Sequence, residues 1–241
     1  MASPPSSLTA VVLGATGAVG TEVVRALIES DAWIKITTIG RRPVELSDEL
    51  KAKAGERLQQ LAINMDNMAA EGGAAFAGAT SVFCTLGTTR AVAGSAAAFR
   101  KVDLDWVAES ARLAAAGSAK HFALCSSTGA NANVWACDWL VSSPLLYMKV
   151  KGQAEEAVKA AGIPTVSIYR PGLLERGERE RGTEKAMAAL FTKISVSAIG
   201  RMMVQDAEAA AAGARSPTVA TFTMKDMMAA AKSGKAPVMS A

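Results

Sequence analysis

The sequence predicts an α/β fold: a doubly wound parallel sheet with helices on both faces and a small C-terminal substrate-binding region. Three observations predict it. Short apolar, β-branched runs alternate with longer segments whose apolar residues recur at helical spacing. The first of these runs closes on glycine and enters a helix directly. Half of the 241 residues are hydrophobic and only 20% are charged, a balance that excludes a disordered chain. At about 100–200 residues per domain we expect one domain over residues 1–241, with 173–241 as a substrate-side extension within it.

Leu8–Leu13, LTAVVL, reads as a strand buried on both faces. Thr21–Ser30 carries Val23, Val24, Leu27 and Ile28 at helical spacing. Lys35–Ile39 is a second strand, and Leu46–Met68 contains a helical stretch with a third strand toward its end. Ser81–Leu86 is a fourth strand. Ala97–Ala116 reads as one long helix with Val102, Val107 and Leu113 inward. His121–Ser126 is a fifth strand, Leu145–Ala161 a helix, and Pro164–Tyr169 a sixth strand. The last 70 or so residues lose this regularity. They hold a charged stretch over Glu175–Lys185, then alanine-rich helices, with Val219–Thr223 as the one strand candidate. Met224, Met227 and Met228 read as core filler.

Composition excludes several function classes. The 26 Lys and Arg against 22 Asp and Glu give a net charge of +4, and the basic residues are scattered. No basic stripe with interleaved aromatics marks a nucleic-acid surface. Cys84, Cys125, Cys137 and the single His121 show no metal-ligand spacing, so no metal site is expected. The odd cysteine count suits a reducing compartment. We expect a cytoplasmic protein with no leader over Met1–Ala10 and no membrane span.

Gly14-Ala15-Thr16-Gly17-Ala18-Val19-Gly20 is a GxxGxxG between the first strand and the first helix. Gly14 permits the turn, Gly17 lets backbone approach a pyrophosphate, and Gly20 lets helix and strand pack closely. The helix start then offers N–H groups and a positive dipole end to phosphates. Strand two leads into Gly40-Arg41-Arg42-Pro43. No acid stands at its tip to take a ribose hydroxyl, and two arginines suit a 2′-phosphate. The expected cofactor is NADP(H), held by Gly14, Thr16, Gly17, Ala18, Val19, Gly20, Arg41 and Arg42.

Tyr147 and Lys151 are four apart on one helix face. A cation beside a phenol favours the phenolate, so the tyrosine can exchange a proton with an oxygen whose carbon exchanges hydride. A hydroxyl for that same oxygen stands at the end of strand five, in Ser126-Ser127-Thr128.

These motifs, with Cys84-Thr85-Leu86-Gly87-Thr88-Thr89-Arg90, Lys120-His121-Phe122, Val102-Asp103-Leu104-Asp105-Trp106-Val107 and Tyr169-Arg170-Pro171-Gly172-Leu173-Leu174, resemble an atypical short-chain dehydrogenase/reductase. Within that group they resemble the Tat-interacting-protein-like NADPH-binding oxidoreductases, from about Ala10 to about Gly182. The resemblance implies that Leu86 and Gly87, with Thr88, pass under the adenosine and pyrophosphate. It implies that Pro171 and Gly172, with Leu173, lie against the nicotinamide. Tyr147 and Lys151 would touch the cofactor, and Ser127, Tyr147 and Lys151 would form the triad, with Ser126 and Thr128 as neighbouring candidates for its hydroxyl. His121 reads as structural. A loop over Ala130–Ser143 carries Trp135 and Trp139, either a substrate wall or packing on the body or a second subunit. The Glu175–Gly182 run reads as a solvated hinge or a substrate flap.

Two function classes emerge. One is an NADPH-dependent oxidoreductase acting on a small carbonyl or similar substrate, with Tyr147 as acid/base. The other is an NADP(H)-sensing regulator that binds cofactor and a protein partner without turnover. A sensor has no use for the Tyr147/Lys151 pair, and a scaffold has none for the phosphate loop. Substrate identity and homodimer formation stay open.

Overall fold

The structure, a computed structural model, describes residues 7–136, 144–175, 193–214 and 218–234 of the 241. The elements are β1 (Leu8–Leu13), α1 (Ala18–Glu29), β2 (Trp33–Gly40), α2 (Asp48–Ala54), β3 (Leu58–Ala62), α3 (Met68–Gly72), β4 (Ser81–Cys84), α4 (Arg90–Ala93), α5 (Ala96–Arg100), α6 (Trp106–Ala116), β5 (His121–Cys125), α7 (Pro144–Ala160), β6 (Thr165–Tyr169), β7 (Leu173–Glu175), β8 (Lys193–Ser195), α8 (Val196–Ala211), β9 (Val219–Phe222) and α9 (Met224–Ser233).

Seven strands form one parallel sheet in the order β3-β2-β1-β4-β5-β6-β9. The order reverses at β1, with β2 and β3 to one side and β4 to the other, and such a switch point opens a crevice at the carboxyl ends of the strands. Alternate strand residues feed two cores. One face packs α1, α8 and α9 against Trp33, Phe83, Tyr169 and Phe222. The other packs α6 and α7 against Val82, Cys84, Phe122 and Ile168. This is the Rossmann-type arrangement the strand–helix alternation predicts.

Three expectations change. The long helix over Ala97–Ala116 follows its predicted path but contains a π turn at Lys101–Asp105 between α5 and α6. One residue more per turn rotates the downstream positions by about 100° relative to a regular helix. Val102, expected inward, lines a surface cleft, and Asp103, four residues before Val107, is the buried residue. Strand four stops at Cys84, which leaves Leu86 on the loop after it. The C-terminal part is more regular than its pattern suggests. β9 is the seventh strand of the sheet. α9 opens on a capping box, in which Asp226 Oδ2 accepts from the Thr223 amide at 2.8 Å, and ends at Gly234 with φ +67°. Met227 is fully buried, as core filler should be. A small parallel pair, β7 with β8, has no counterpart in the sequence pattern.

His121 is buried, and its Nε2 lies 3.0 Å from Ser167 Oγ and 3.6 Å from Asp206 Oδ2. Asp206 Oδ2 also accepts from Ser167 Oγ at 2.5 Å and from the Tyr169 hydroxyl at 3.0 Å. This network ties α8 to β5 and β6, and it makes His121 a structural residue. Each buried donor that loses its acceptor costs about 1–3 kcal/mol. Asp206→Ala should therefore lower stability by more than about 2 kcal/mol in urea unfolding, while Tyr169→Phe should cost less.

Candidate active site

The site is built on β1 and the turn that leaves it. Gly14 has φ +78°, a left-handed conformation open to glycine. A Cβ on Gly20 would stand 2.2 Å from the Gly14 carbonyl oxygen, and one on Gly14 would stand 2.6 Å from the Thr85 carbonyl carbon. Only bare backbone fits at both positions. α1 begins at Gly17 with no side-chain cap and no acid in its first turn, so its N–H groups and dipole face outward for an anion. The Thr85 amide and Oγ1 both donate to the Leu13 carbonyl at 2.9 Å, which fixes the loop after β4 beside this turn.

A cleft of ≈ 460 Å³ runs from the glycine turn over the tips of β1 and β2. Gly14, Thr16, Gly17, Arg41, Arg42, Leu86, Gly87 and Thr88 all line it, together with Met65, Val102 and Trp106. Arg41 and Arg42 are exposed. Trp106 Nε1 donates to Asp66 at 3.0 Å, which holds that wall in place.

A second cleft of ≈ 370 Å³ continues past Gly17, Ala18 and Val19 to Cys125, Ser126, Tyr147, Lys151 and Leu174. The Tyr147 ring stacks on Phe99, with centroids 5.8 Å apart. Lys151 is 5% exposed, and its Nζ lies 2.8 Å from Asp103 Oδ1 and 3.4 Å from the Leu86 carbonyl oxygen. Asp103 Oδ2 accepts from the Thr88 amide at 2.8 Å. Burial opposes the Lys151 ammonium, but Asp103, and after it Tyr147, outweigh burial and hold its pKa above the ordinary lysine value. Burial pushes the Asp103 carboxyl up, with Lys151 and the Thr88 amide opposing. Lys151 Nζ thus stands 2.8 Å from one carboxyl oxygen and the Thr88 amide 2.8 Å from the other.

The remaining predicted residues divide. Gly20 lies behind the loop, against Gly14. Ser126 reaches the second cleft, but its Oγ donates to Glu155 Oε1 at 2.5 Å, and Glu155 also pairs with Arg170. Thr128 Oγ1 donates to the Arg170 carbonyl at 3.0 Å. Ser127 is buried, with no partner for its Oγ among the described residues, and it lines neither cleft. Pro171, Gly172 and Leu173 line neither cleft, and Leu174 takes that place. The Pro171 carbonyl accepts from the Thr128 amide at 2.8 Å, and Gly172 lies beside Thr128 and Met224. Trp135 is 79% exposed and lines neither cleft. Trp139, and the charged run beyond Glu175, lie outside the described residues.

Sequence reasoning missed Asp103. A signal was present: Asp103, Val107, Ala111 and Ala114 form one helical stripe, and all four are fully buried. An acid on such a stripe calls for a cationic partner. Glu155, also fully buried, carries the same signal on α7.

The chain matches the model of the NAD(P)H-binding family over residues 14–217. It is 37% identical to Protein HTATIP2 of Rattus norvegicus over 75% of this chain and 68% of that protein. It is 36% identical to Protein FMP52-1, mitochondrial, of Scheffersomyces stipitis over 72% of this chain and 70% of that protein. Among solved structures, a carbonyl reductase from Pseudomonas aeruginosa superposes with a TM-score of 0.64 at 18% identity, covering 91% of this chain and 97% of that one. MoeE5 in complex with UDP-glucose and NAD superposes with a TM-score of 0.64 at 16% identity, covering 95% and 83%. The chain belongs to the NAD(P)H-binding family and is similar to HTATIP2. No helix among the described residues is long and apolar enough to cross a membrane, and they hold no cluster of metal-ligating side chains.

A dinucleotide fits the donor set: bare backbone at the turn, an open helix start and two arginines at the distal end. A Cβ on Gly17 would meet the Gly14 carbonyl oxygen at 3.2 Å, a contact that a shift of a few tenths of an ångström relieves, and Gly17 lines both clefts. Gly17→Val should abolish binding of both NADPH and NADH in calorimetry, with an unchanged circular dichroism spectrum. Retained affinity would show that the loop is only a turn.

Proposed function

We propose that this member of the NAD(P)H-binding family is an NADP(H)-dependent oxidoreductase that reduces a small carbonyl or similar substrate, with Tyr147 as its acid/base. One observation carries the reading. Tyr147 and Lys151 open onto the cleft that continues from the phosphate loop, between Gly17–Val19 and Leu86–Thr88. A bound reduced nicotinamide supplies the hydride. Tyr147 gives its hydroxyl proton to the carbonyl oxygen as the carbon gains that hydride, and the phenolate left behind regains a proton from water. Lys151, held against Leu86 and Asp103, sets the charge at the phenol and stands ready for a ribose hydroxyl. Ser127 is the proposed triad hydroxyl, since Ser126 and Thr128 have already committed theirs. The residues from 173 onward supply the substrate side, beginning with Leu174 at the cleft.

NADP(H) is favoured over NAD(H) because Arg41 and Arg42 line the distal cleft and no acid ends β2. Cys84 and Cys125 are thiols rather than a disulfide, which supports a cytoplasmic setting. The mitochondrial name of the FMP52-1 relative makes the mitochondrion the competing compartment, and fractionation decides between them.

Arg41→Ala/Arg42→Ala should weaken NADPH binding about tenfold or more while leaving NADH little changed, because a bidentate guanidinium–phosphate contact is charge-assisted. Equal loss of both, or a native preference for NADH, would refute the NADP(H) assignment. Tyr147→Phe should lower turnover by about 10²–10⁴ with NADPH affinity preserved, whereas Lys151→Met should damage both. NADPH oxidation with a panel of aldehydes and quinones, beside calorimetry, measures this. Binding without turnover in the native protein would make it a cofactor sensor.

A further inference from the structure

A lysine ammonium has three donors and no acceptor, and two directions around Lys151 Nζ are already taken. Asp103 Oδ1 stands 2.8 Å away and the Leu86 carbonyl oxygen 3.4 Å away. Asp103 is itself fixed: it is fully buried, and its Oδ2 accepts from the Thr88 amide at 2.8 Å. A Cβ on Gly87 would stand 3.3 Å from Nζ and 3.5 Å from Oδ1, so the loop after β4 passes close over the pair. Lys151 is 5% exposed, yet it lines the second cleft. One donor is left over, and the opening left to it is that cleft.

We propose that Asp103 is a positioning residue for the nicotinamide half of the cofactor: it holds Lys151 against the loop after β4, so that the remaining donor of the lysine meets the ribose next to the nicotinamide. The inference rests on the proposed placing of the nicotinamide beside Tyr147 and Lys151, and it deepens that reading by naming what aims the lysine. A lysine is a compact charge on a flexible four-carbon stem, and ordering such a stem costs rotamer entropy. Asp103 meets that cost in the fold, before the cofactor arrives, and preorganisation of this kind is a source of affinity. Burial opposes the Lys151 ammonium, and the adjacent carboxylate keeps its pKa above the ordinary lysine value. A charged donor holds a hydroxyl more strongly than a neutral amine does.

Asp103 belongs to the π turn Lys101–Asp105, and Leu86, Gly87 and Thr88 belong to the loop that lines both clefts. Among the described residues lining the second cleft, Asp103 is the one carboxylate and Lys151 the one cation. The other two buried acids named above are committed elsewhere: Glu155 accepts from Ser126 and pairs with Arg170, and Asp206 accepts from Ser167 and Tyr169. Arg41 and Arg42 line the first cleft and not the second. The two ends of a bound dinucleotide are therefore served by separate charges, and each end can be measured by itself.

Adenosine 2′,5′-bisphosphate makes that separation, because it carries the adenosine end of NADPH and stops short of the second ribose. Calorimetry on the whole chain measures both ligands and needs no substrate. Asp103→Asn keeps an acceptor for the Thr88 amide but removes the counter-charge of Lys151. It should weaken NADPH about tenfold, the worth of one hydrogen bond to a charged group, and leave the bisphosphate within about twofold of native. Lys151→Met should show the same pattern. The double variant Asp103→Asn/Lys151→Met should bind NADPH no more weakly than Lys151→Met alone, because the two losses run through one contact and do not add. A merely structural Asp103 predicts loss of both ligands, or a further loss of NADPH in the double variant, and either result overturns the inference. If a single variant does not fold, the double variant decides, because replacing both charges of a buried pair is often tolerated. A loss of about tenfold for NADPH with the bisphosphate intact then supports the inference, and native NADPH affinity overturns it. Native affinity in Lys151→Met would remove the placing of the nicotinamide and the inference with it. Loss in Lys151→Met with none in Asp103→Asn would remove the inference alone. If the native chain prefers NADH, then NADH and adenosine monophosphate replace the two probes, and only the NADP(H) assignment falls.

Discussion

The Gly14 carbonyl oxygen occupies the space where any residue other than glycine at position 20 would place its Cβ, 2.2 Å away. That approach presses α1 against the end of β1. It leaves room for the loop after β4 to lie across the turn, where Thr85 donates twice to the Leu13 carbonyl. From this contact the site assembles in bonded steps. The loop carries Leu86, Gly87 and Thr88 along both clefts, the Thr88 amide holds Asp103, Asp103 holds Lys151, and Lys151 returns to the Leu86 carbonyl. The phosphate turn and the residues proposed to handle protons are therefore one structure. A side chain at Gly20 that forced α1 away from β1 would move Lys151 as well, although the two residues belong to different helices.

Much of this was legible in the sequence because it rests on local rules. The GxxGxxG stands where a strand becomes a helix, and the spacing of Tyr147 and Lys151 places both on one face of α7 whatever surrounds them. The π turn was not legible. A period-3.6 pattern assumes a constant advance per residue, and the sequence around Lys101–Asp105 carries no glycine or proline to mark an interruption. The misplacing of Val102 has a separate cause: at five residues before Val107 it lies off the stripe that Asp103 shares with Val107, and only its apolar side chain argues for the core. β9 was hard to read for a different reason. Val219–Phe222 is only four residues long, and its burial comes from pairing with β6, a partner some fifty residues earlier. The pair β7 with β8 is shorter still.

Three buried acids mark where sequence logic and packing meet. Asp103, Glu155 and Asp206 are each 0–1% exposed, and each gathers several donors from different elements. Burying a carboxylate is costly unless it is paired and hydrogen-bonded. Asp206 serves the fold: its donors Ser167 and Tyr169 come from β6, with His121 of β5 behind Ser167, away from either cleft. Glu155 bridges Ser126 at the cleft edge to Arg170 at the end of β6. Asp103 stands inside the site. Of the three, Asp103 alone lines either cleft, although all three look alike in sequence.

The three consecutive hydroxyls after β5 illustrate the same division of labour. Had Ser126 been unbonded, it would be the natural triad candidate, since it reaches the cleft. Its Oγ instead donates to Glu155 at 2.5 Å, and a hydroxyl has one proton to give. Thr128 spends its proton on the Arg170 carbonyl. Ser127 keeps its donor uncommitted, at a cost of about 1–3 kcal/mol for a buried polar group without a partner. Ser127 lines neither cleft, so to serve the proposed triad its hydroxyl must turn toward Tyr147, and no committed bond opposes that turn. The Glu155–Arg170 pair bears on that turn only through the fold: it holds Ser126 and the residue after β6, and with them the backbone that carries Ser127.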